Sequence, residues 1–316
     1  MNILVTGGAG FIGSHLCEKL LGRGDTVVCL DNFNTYYDPA VKRDNISGAM
    51  KHKSFICVEG DIRDKDLVRT VFSKNSIDTV VHLAARAGVR PSIEDPHLYQ
   101  QVNVEGTVVM LDAAREYGVS RFIMASSSSV YGNNKKVPFA ETDNVDFPIS
   151  PYAATKKACE LLAYTYYSLY DMPVTCLRFF TVYGPRQRPD MAIHKFVRLI
   201  SSGSQVPLFG DGSTKRDYTF ITDIIDGIVR SIENCRGYEI YNLGESRTVE
   251  LRYLISVIEK CLGKTADIQY LPMQPGDVTI TYADVHKAGK ELGYKPSVAI
   301  EDGIRMFTEW YITQIT

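Results

Sequence analysis

The sequence carries no excess of charge of one sign, no long apolar run and no paired-cysteine motif. Its 35 lysines and arginines nearly balance 37 aspartates and glutamates, leaving a net charge of −2. Chains that bind nucleic acid nonspecifically or lie on anionic membranes normally show a basic excess, so neither a nucleic-acid nor a membrane partner is expected. No segment approaches the roughly 18 uninterrupted apolar residues of a membrane span. The stretch Met1-Asn2-Ile3-Leu4-Val5 has no basic start, long apolar run or small-residue cleavage site, so a cytoplasmic location is expected. The seven cysteines (Cys17, Cys29, Cys57, Cys159, Cys176, Cys235 and Cys261) are odd in number and never form Cys-x-x-Cys. They suit buried thiols in a reducing compartment rather than a disulfide framework or a zinc site. The histidines show no metal-ligand spacing, and His82 reads as a packed strand residue.

What the chain does have is alternation. Short apolar runs at Ile3–Thr6, Thr26–Leu30, Ser54–Glu59, Thr79–Leu83, Arg121–Ala125 and Val174–Arg178 read as strands. Helical patterns lie between them at Phe11–Arg23, Lys65–Lys74, Pro96–Tyr117 and Ala153–Tyr170. This order predicts an α/β fold with a doubly wound, mostly parallel sheet. Prolines and glycines break the rhythm after residue 182, and helical patterns return at Leu251–Leu262 and Ile300–Tyr311. A smaller C-terminal lobe is therefore expected. The main domain would span 1–181 plus about 222–244, with Asp223–Ile232 and Ile240–Leu243 returning to the sheet, and the lobe about 182–221 plus 245–316.

The sharpest local signal is Val5-Thr6-Gly7-Gly8-Ala9-Gly10-Phe11-Ile12-Gly13-Ser14, directly after the first strand. Gly7 permits a tight turn, Gly10 lets the backbone approach a pyrophosphate, and Gly13 lets the helix pack on the strand. The helix N-terminus supplies free N–H donors for the anion. The next strand ends at Asp31, about 20 residues on, where a carboxylate bonds adenosine ribose hydroxyls and repels a 2′-phosphate. NAD is therefore favoured over NADP. Gly60-Asp61-Ile62 and Leu83-Ala84-Ala85 end later strands with small residues, leaving room for a dinucleotide.

A second constellation follows Arg121–Ala125. The run Ser126-Ser127-Ser128-Ser129-Val130-Tyr131-Gly132 precedes Tyr152-Ala153-Ala154-Thr155-Lys156. The Tyr-x-x-x-Lys spacing is one helical turn and puts both side chains on one face. A phenol has a reference pKa near 10 and is a poor base at neutral pH; an adjacent ammonium favours the phenolate. A serine hydroxyl would complete a relay to a substrate alcohol. Cys159 and Cys176 read as core thiols, and the aromatic run Tyr164, Tyr166, Tyr167 and Tyr170 as packing, some of it across a subunit contact.

Together these motifs resemble those of extended short-chain dehydrogenases/reductases, whose sheet is of the Rossmann type, across essentially the whole chain. The narrower match is to nucleotide-sugar epimerases, most closely UDP-glucuronate 4-epimerases. It rests on Asp31-Asn32-Phe33-Asn34-Thr35-Tyr36-Tyr37-Asp38, Arg86-Ala87-Gly88-Val89-Arg90, Arg178-Phe179-Phe180-Thr181-Val182-Tyr183-Gly184-Pro185, Arg186-Gln187-Arg188-Pro189-Asp190-Met191-Ala192 and Lys215-Arg216-Asp217-Tyr218-Thr219. The resemblance implies Tyr152 as catalytic base and acid, Lys156 as its activator and a ribose ligand, and Ser127 as the catalytic hydroxyl. It implies cofactor contacts at Gly7, Gly10, Phe11, Ile12, Gly13, Asp31, Asn32, Asp61, Ile62, Leu83, Ala84, Ala85, Asn103 and Ser126. Arg216 would meet the UDP phosphates and Asp277 the uridine ribose. Galactose-type relatives carry arginine where this chain has Gln274, which shifts phosphate anchoring toward Arg216 or another cation. A homodimer built on the helices at Pro96–Tyr117 and Ala153–Tyr170 is also implied.

The implied reaction removes hydride from sugar carbon 4 while Tyr152 takes the hydroxyl proton; the 4-keto sugar then turns over and is reduced on its other face. A 4-keto uronate is a β-keto acid that loses carbon dioxide when its carboxylate bond aligns with the carbonyl π system. Arg188 offers a charge-assisted fork to hold it out of line, aided by Ser128, Ser129 and Thr181, while Ser127 meets the substrate as the catalytic hydroxyl. Three alternatives stay open. A UDP-glucuronate decarboxylase is one, although such enzymes usually carry an acid where Ser129 stands. A UDP-glucose or UDP-N-acetylhexosamine 4-epimerase is another, disfavoured by Arg188 and Thr181. The third is a catalytically silent NAD-binding regulator, which would have no need of an activated phenol.

Overall fold

The computed structural model describes residues 1–272 and 278–315. Its centre is a sheet of seven strands: β1 (Asn2–Thr6), β2 (Thr26–Asp31), β3 (Phe55–Glu59), β4 (Thr79–His82), β5 (Arg121–Ser127), β6 (Val174–Phe179) and an edge strand, Tyr238–Leu243. From that edge the order is edge strand, β6, β5, β4, β1, β2, β3. Every ladder is parallel. The direction of winding reverses between β1 and β4, and in open sheets of this kind a crevice opens there, beyond the carboxyl ends of the strands.

Alternation along each strand feeds two cores. Ile3 and Val5 of β1, Val27 and Cys29 of β2, and Ile123 and Ala125 of β5 enter one cluster. Leu4, Val28, Leu30, Phe122 and Met124 enter the other, with Val68 and Phe72 from the helix Lys65–Asn75. Strands buried on both faces must be apolar at every position, which is why these runs read as continuous rather than alternating. The first cluster continues without interruption through Ile224 and Ile228 to Leu254, Ile304 and Phe307 of the C-terminal helices. Those later elements include three small ladders: Thr181–Tyr183 with Tyr218–Phe220, Lys215–Arg216 with Val249–Glu250, and Val206–Phe209 with Ile268–Leu271. The helix Ala192–Ser201 buries Ile193, Phe196, Val197 and Ile200, a one-sided stripe at helical spacing.

Two expectations about elements are corrected. Asp223–Ile232 lies within a helix, Ile221–Asn234, and only Tyr238–Leu243 returns to the sheet, beside β6. The helix expected over Pro96–Tyr117 is interrupted: Pro96–Tyr99 is α-helical, Gln100–Glu105 is a π-helix, and Gly106–Glu116 is α-helical again. The physical reason is Asn103. Its Oδ1 accepts from Arg86 N at 2.8 Å, and its Nδ2 donates to Arg86 O at 3.1 Å and Thr155 Oγ1 at 3.0 Å. A widened turn accommodates that clasp, and π-turns of this kind recur near functional sites.

Candidate active site

One cavity of about 590 Å³ runs along the carboxyl ends of the strands. At one end the glycine turn closes on the floor. Gly7 has φ +68°, and a Cβ there would lie 2.9 Å from Ala84 N; a Cβ on Gly13 would lie 2.2 Å from Gly7 O. The turn, the helix α1 (Phe11–Gly22) and the loop after β4 therefore approach as closely as only glycine allows. The α1 N-cap is Gly10, with no side-chain cap, and Gly10, Phe11, Ile12 and Gly13 line the cavity, so no capping side chain competes for the first-turn N–H groups. This is a cradle for a pyrophosphate, and the residues fit NAD.

Asp31 ends β2 in the expected place and is buried. Its carboxylate accepts from Ala9 N at 3.2 Å and Phe33 N at 2.9 Å, and Lys42 Nζ stands 3.6 Å away. Lys42 was not anticipated: it comes from the helix Pro39–Asn45, and burial lowers its pKa while Asp31 works to raise it. Asp61 is forked by Arg63 at 2.8 and 2.9 Å and accepts from Asn32 Nδ2 at 3.0 Å. The Arg63 bonds, with that of Asn32, hold its carboxyl down at about 2 despite partial burial.

At the other end, β5 runs on to Ser127, which caps a short turn with its Oγ accepting from Ser129 N at 3.1 Å. That leaves the Ser127 hydroxyl hydrogen for a partner in the cavity. Tyr152 is the second residue of the helix Pro151–Tyr170, started by Ser150 as N-cap and Pro151 at its first position. Tyr152 thus belongs to the first turn, at the positive end of the helix dipole. Lys156, one turn on, is buried and donates from Nζ to Ala125 O at 2.9 Å, which ties the helix to the strand end. Beneath them lies an ion pair that the sequence reading left without a role. Arg178 forks Glu160 with both contacts at 2.8 Å, and neither side chain is more than 1% exposed. Burial opposes the Arg178 charge, but the Glu160 fork overrides it and raises the pKa. Ser126 Oγ donates to Glu160 Oε1 at 2.6 Å, so this hydroxyl belongs to the buried network although Ser126 lines the cavity.

The cavity lining brings together Gly7, Gly10, Phe11, Ile12, Gly13, Asp31, Asn32, Asp61, Ile62, Leu83, Ala84, Ala85, Ser126, Ser127, Ser128, Ser129, Tyr152, Lys156, Thr181 and Arg188. Asn103 stands behind the wall as the clasp described above. Arg216 is not in the lining; it sits in the small ladder with Val249–Glu250, and its Nη1 donates to Lys215 O at 3.0 Å. Gln274 and Asp277 lie outside the described residues. Tyr36, Tyr37, Arg86 and Asp190 also line the cavity without having been assigned a role from the sequence. No spacing rule could have found them, because they come from separate loops. His82 is fully buried between Thr6 Oγ1 at 2.7 Å and Thr107 Oγ1 at 3.1 Å, in keeping with a packed strand residue.

Comparison with known proteins agrees with this geometry. The family model described as GDP-mannose 4,6 dehydratase matches residues 4–307. An uncharacterized protein of Methanocaldococcus jannaschii, MJ1055, is 46% identical over 98% of this chain and 96% of its own. A UDP-glucuronate 4-epimerase of Thermodesulfobacterium geofontis is 42% identical over 97% of this chain and 95% of its own. The crystal structure of a UDP-glucuronic acid 4-epimerase from Bacillus cereus, in complex with UDP-glucuronic acid and NAD, superposes with a TM-score of 0.94 at 38% identity, covering 100% of both chains. With sequence and fold matched end to end, the chain belongs to the GDP-mannose 4,6-dehydratase family of extended short-chain dehydrogenases/reductases.

Proposed function

We propose that this protein is an NAD-dependent isomerase that interconverts UDP-glucuronate and UDP-galacturonate at sugar carbon 4. The observation that carries the reading is the single cavity in which the dinucleotide cradle, the Tyr152–Lys156 pair and the Arg188 guanidinium meet. The full-length likeness to UDP-glucuronate 4-epimerases supports the same substrate. NAD is held by the α1 N-terminus, Asp31, Asn32, Asp61 and the small residues of the floor, with Ser126 and Asn103 bracing that wall. When bound, it supplies reversible hydride acceptance at carbon 4.

The chain's own part is proton handling and orientation. Tyr152 takes the carbon-4 hydroxyl proton and later returns it, Lys156 stands one helical turn from it, and Ser127 donates to the substrate oxygen. Between the two half-reactions the 4-keto sugar turns over about its pyrophosphate linkage. Arg188, Ser128, Ser129 and Thr181 hold the carboxylate away from the carbonyl π system. Arg216 anchors phosphate and Asp277 the uridine ribose. We read residues about 182–221 and 245–316 as the nucleotide-sugar lobe, and the protein as a cytoplasmic homodimer. The dimer reading is supported by apolar side chains exposed on the helix Pro151–Tyr170, among them Leu161 and Leu169.

The test is incubation of the purified protein with UDP-glucuronate, UDP-glucose and UDP-N-acetylglucosamine, followed by chromatography of the UDP-sugars. Conversion of UDP-glucuronate to UDP-galacturonate alone is expected. A UDP-pentose as main product, or preferential conversion of a neutral hexose, would overturn the reading.

A further inference from the structure

The Arg188 guanidinium is held on two sides by residues that have no role so far. Its Nε donates to Asp190 Oδ1 at 3.0 Å and its Nη2 to Asp190 Oδ2 at 2.8 Å, a planar fork across Pro189. Its face lies against the Tyr36 ring, 5.2 Å from the centroid. The Arg86 guanidinium lies against the same ring at 4.7 Å. Tyr36 is itself fixed. A chain of side-chain bonds runs from Asp61 through Asn32 and Asn34 to the Tyr36 backbone N–H, and the hydroxyl lies 3.0 Å from where a Cβ on Gly88 would be. All four groups line the cavity with Tyr152, Thr181 and the serine run.

A guanidinium has two donor edges. Asp190 occupies the Nε/Nη2 edge, and no described residue bonds Nη1, so the terminal edge can face a second carboxylate. Two cations and one fixed carboxylate leave one positive charge for an incoming acid. An arginine on a bare loop would have to freeze several rotatable bonds on binding; one already clamped by edge and face does not.

We propose that Tyr36 and Asp190 are positioning residues that fix the Arg188 guanidinium for the carboxylate of a uronate, so that selection of an acid over a neutral group at sugar carbon 6 depends on this assembly. The inference rests on the UDP-uronate reading above and extends it from one residue to four. Asp190 and Tyr36 act through Arg188 and touch no reacting atom. A loosened carboxylate would also swing into line with the carbon-4 carbonyl. There the bond to carbon 6 breaks, its electron pair enters the carbonyl as an enolate, and a proton then adds at carbon 5 as carbon dioxide leaves.

The test uses the full-length protein with NAD and the variants Asp190→Asn, Tyr36→Leu and Tyr36→Phe. Steady-state kinetics with UDP-glucuronate, inhibition by UDP-glucose and release of carbon dioxide would be measured together. Asp190→Asn is expected to raise KM for UDP-glucuronate about tenfold, to change kcat less, and to raise the fraction of turnovers that release carbon dioxide. Its inhibition constant for UDP-glucose, which has the same nucleotide and no carboxylate, should move less than twofold. Tyr36→Leu should follow the same pattern, and Tyr36→Phe, which keeps the ring, should restore most of the affinity. Equal weakening toward both sugars would mean that the residues merely support the loop, and unchanged KM in Asp190→Asn and Tyr36→Leu would equally sink the proposal. If the unaltered protein leaves UDP-glucuronate unconverted, the functional reading itself fails and this inference with it; conversion with unmoved variants defeats this inference alone.

Discussion

Tyr152 and His82 illustrate two opposite uses of a titratable group. Tyr152 stands at the start of its helix and one turn before a buried lysine, on the lining of the cavity, where it can exchange a proton with a bound alcohol. Replacing it with phenylalanine keeps the shape and removes the proton acceptor. The Tyr152→Phe protein is expected to bind UDP-glucuronate but lose turnover by at least about a thousandfold, measured by the UDP-sugar assay. His82 is locked neutral instead. Thr107 donates its own hydrogen to Asn103 O and therefore accepts from Nε2, while Thr6 accepts from Ala84 N and donates to Nδ1. Among the described residues both hydroxyls beside the ring are already engaged, which disfavours a second ring proton, and burial, aided by the Lys156 charge, drives the pKa down to about 3. Because the unfolded histidine titrates near 6.5, stability from this group is complete above that pH. It falls as the pH drops toward 3, by about 1.4 kcal/mol per unit. Urea unfolding at pH 7 and pH 5 should show a loss of about 2 kcal/mol from this source, and His82→Asn should flatten that part of the acid limb.

At the scale of elements, the helix Pro151–Tyr170 is tied to the sheet by polar as well as apolar contacts. Glu160 bridges it to β6 through Arg178 and to β5 through Ser126, and Arg178 goes on to the Tyr131 hydroxyl at 3.0 Å. Removing one charge of a buried pair leaves the other without compensation. Glu160→Gln is expected to cost about 3 kcal/mol in urea unfolding. The strands, the glycine turn and the Tyr–Lys helix were legible because each obeys a local rule: a buried run, a backbone that admits no Cβ, a one-turn spacing. What was not legible depends on meetings between distant segments. The π-turn at Asn103 answers to Arg86 and Thr155, and the apolar spacing of Pro96–Tyr117 carries no trace of it. The Glu160–Arg178 pair and the grip of Tyr36 and Asp190 on Arg188 are likewise tertiary. Apart from Glu160, their residues lie inside the motifs quoted from the sequence, yet nothing in a motif names the partner. Arg216 shows the converse, a motif residue that the fold sets apart from the cavity lining.

For the whole molecule, exposed Leu161 and Leu169 on the helix Pro151–Tyr170 offer a face that a second copy would cover. Sedimentation analysis is expected to give a dimer, and the double substitution Leu161→Glu, Leu169→Glu a monomer; a monomer before substitution would refute the dimer reading. The winding of the sheet has a further consequence for how the chain comes together. Its central neighbours, β1 and β4, both lie within the first 82 residues, and each later strand adds at the outer side of the one before it, ending with Tyr238–Leu243. A chain emerging from the ribosome can therefore lay down its sheet outward from the middle, with no strand having to insert between two already joined. Pulse-labelled hydrogen exchange during refolding should find the amides of β1 and β4 shielded first and those of Tyr238–Leu243 last.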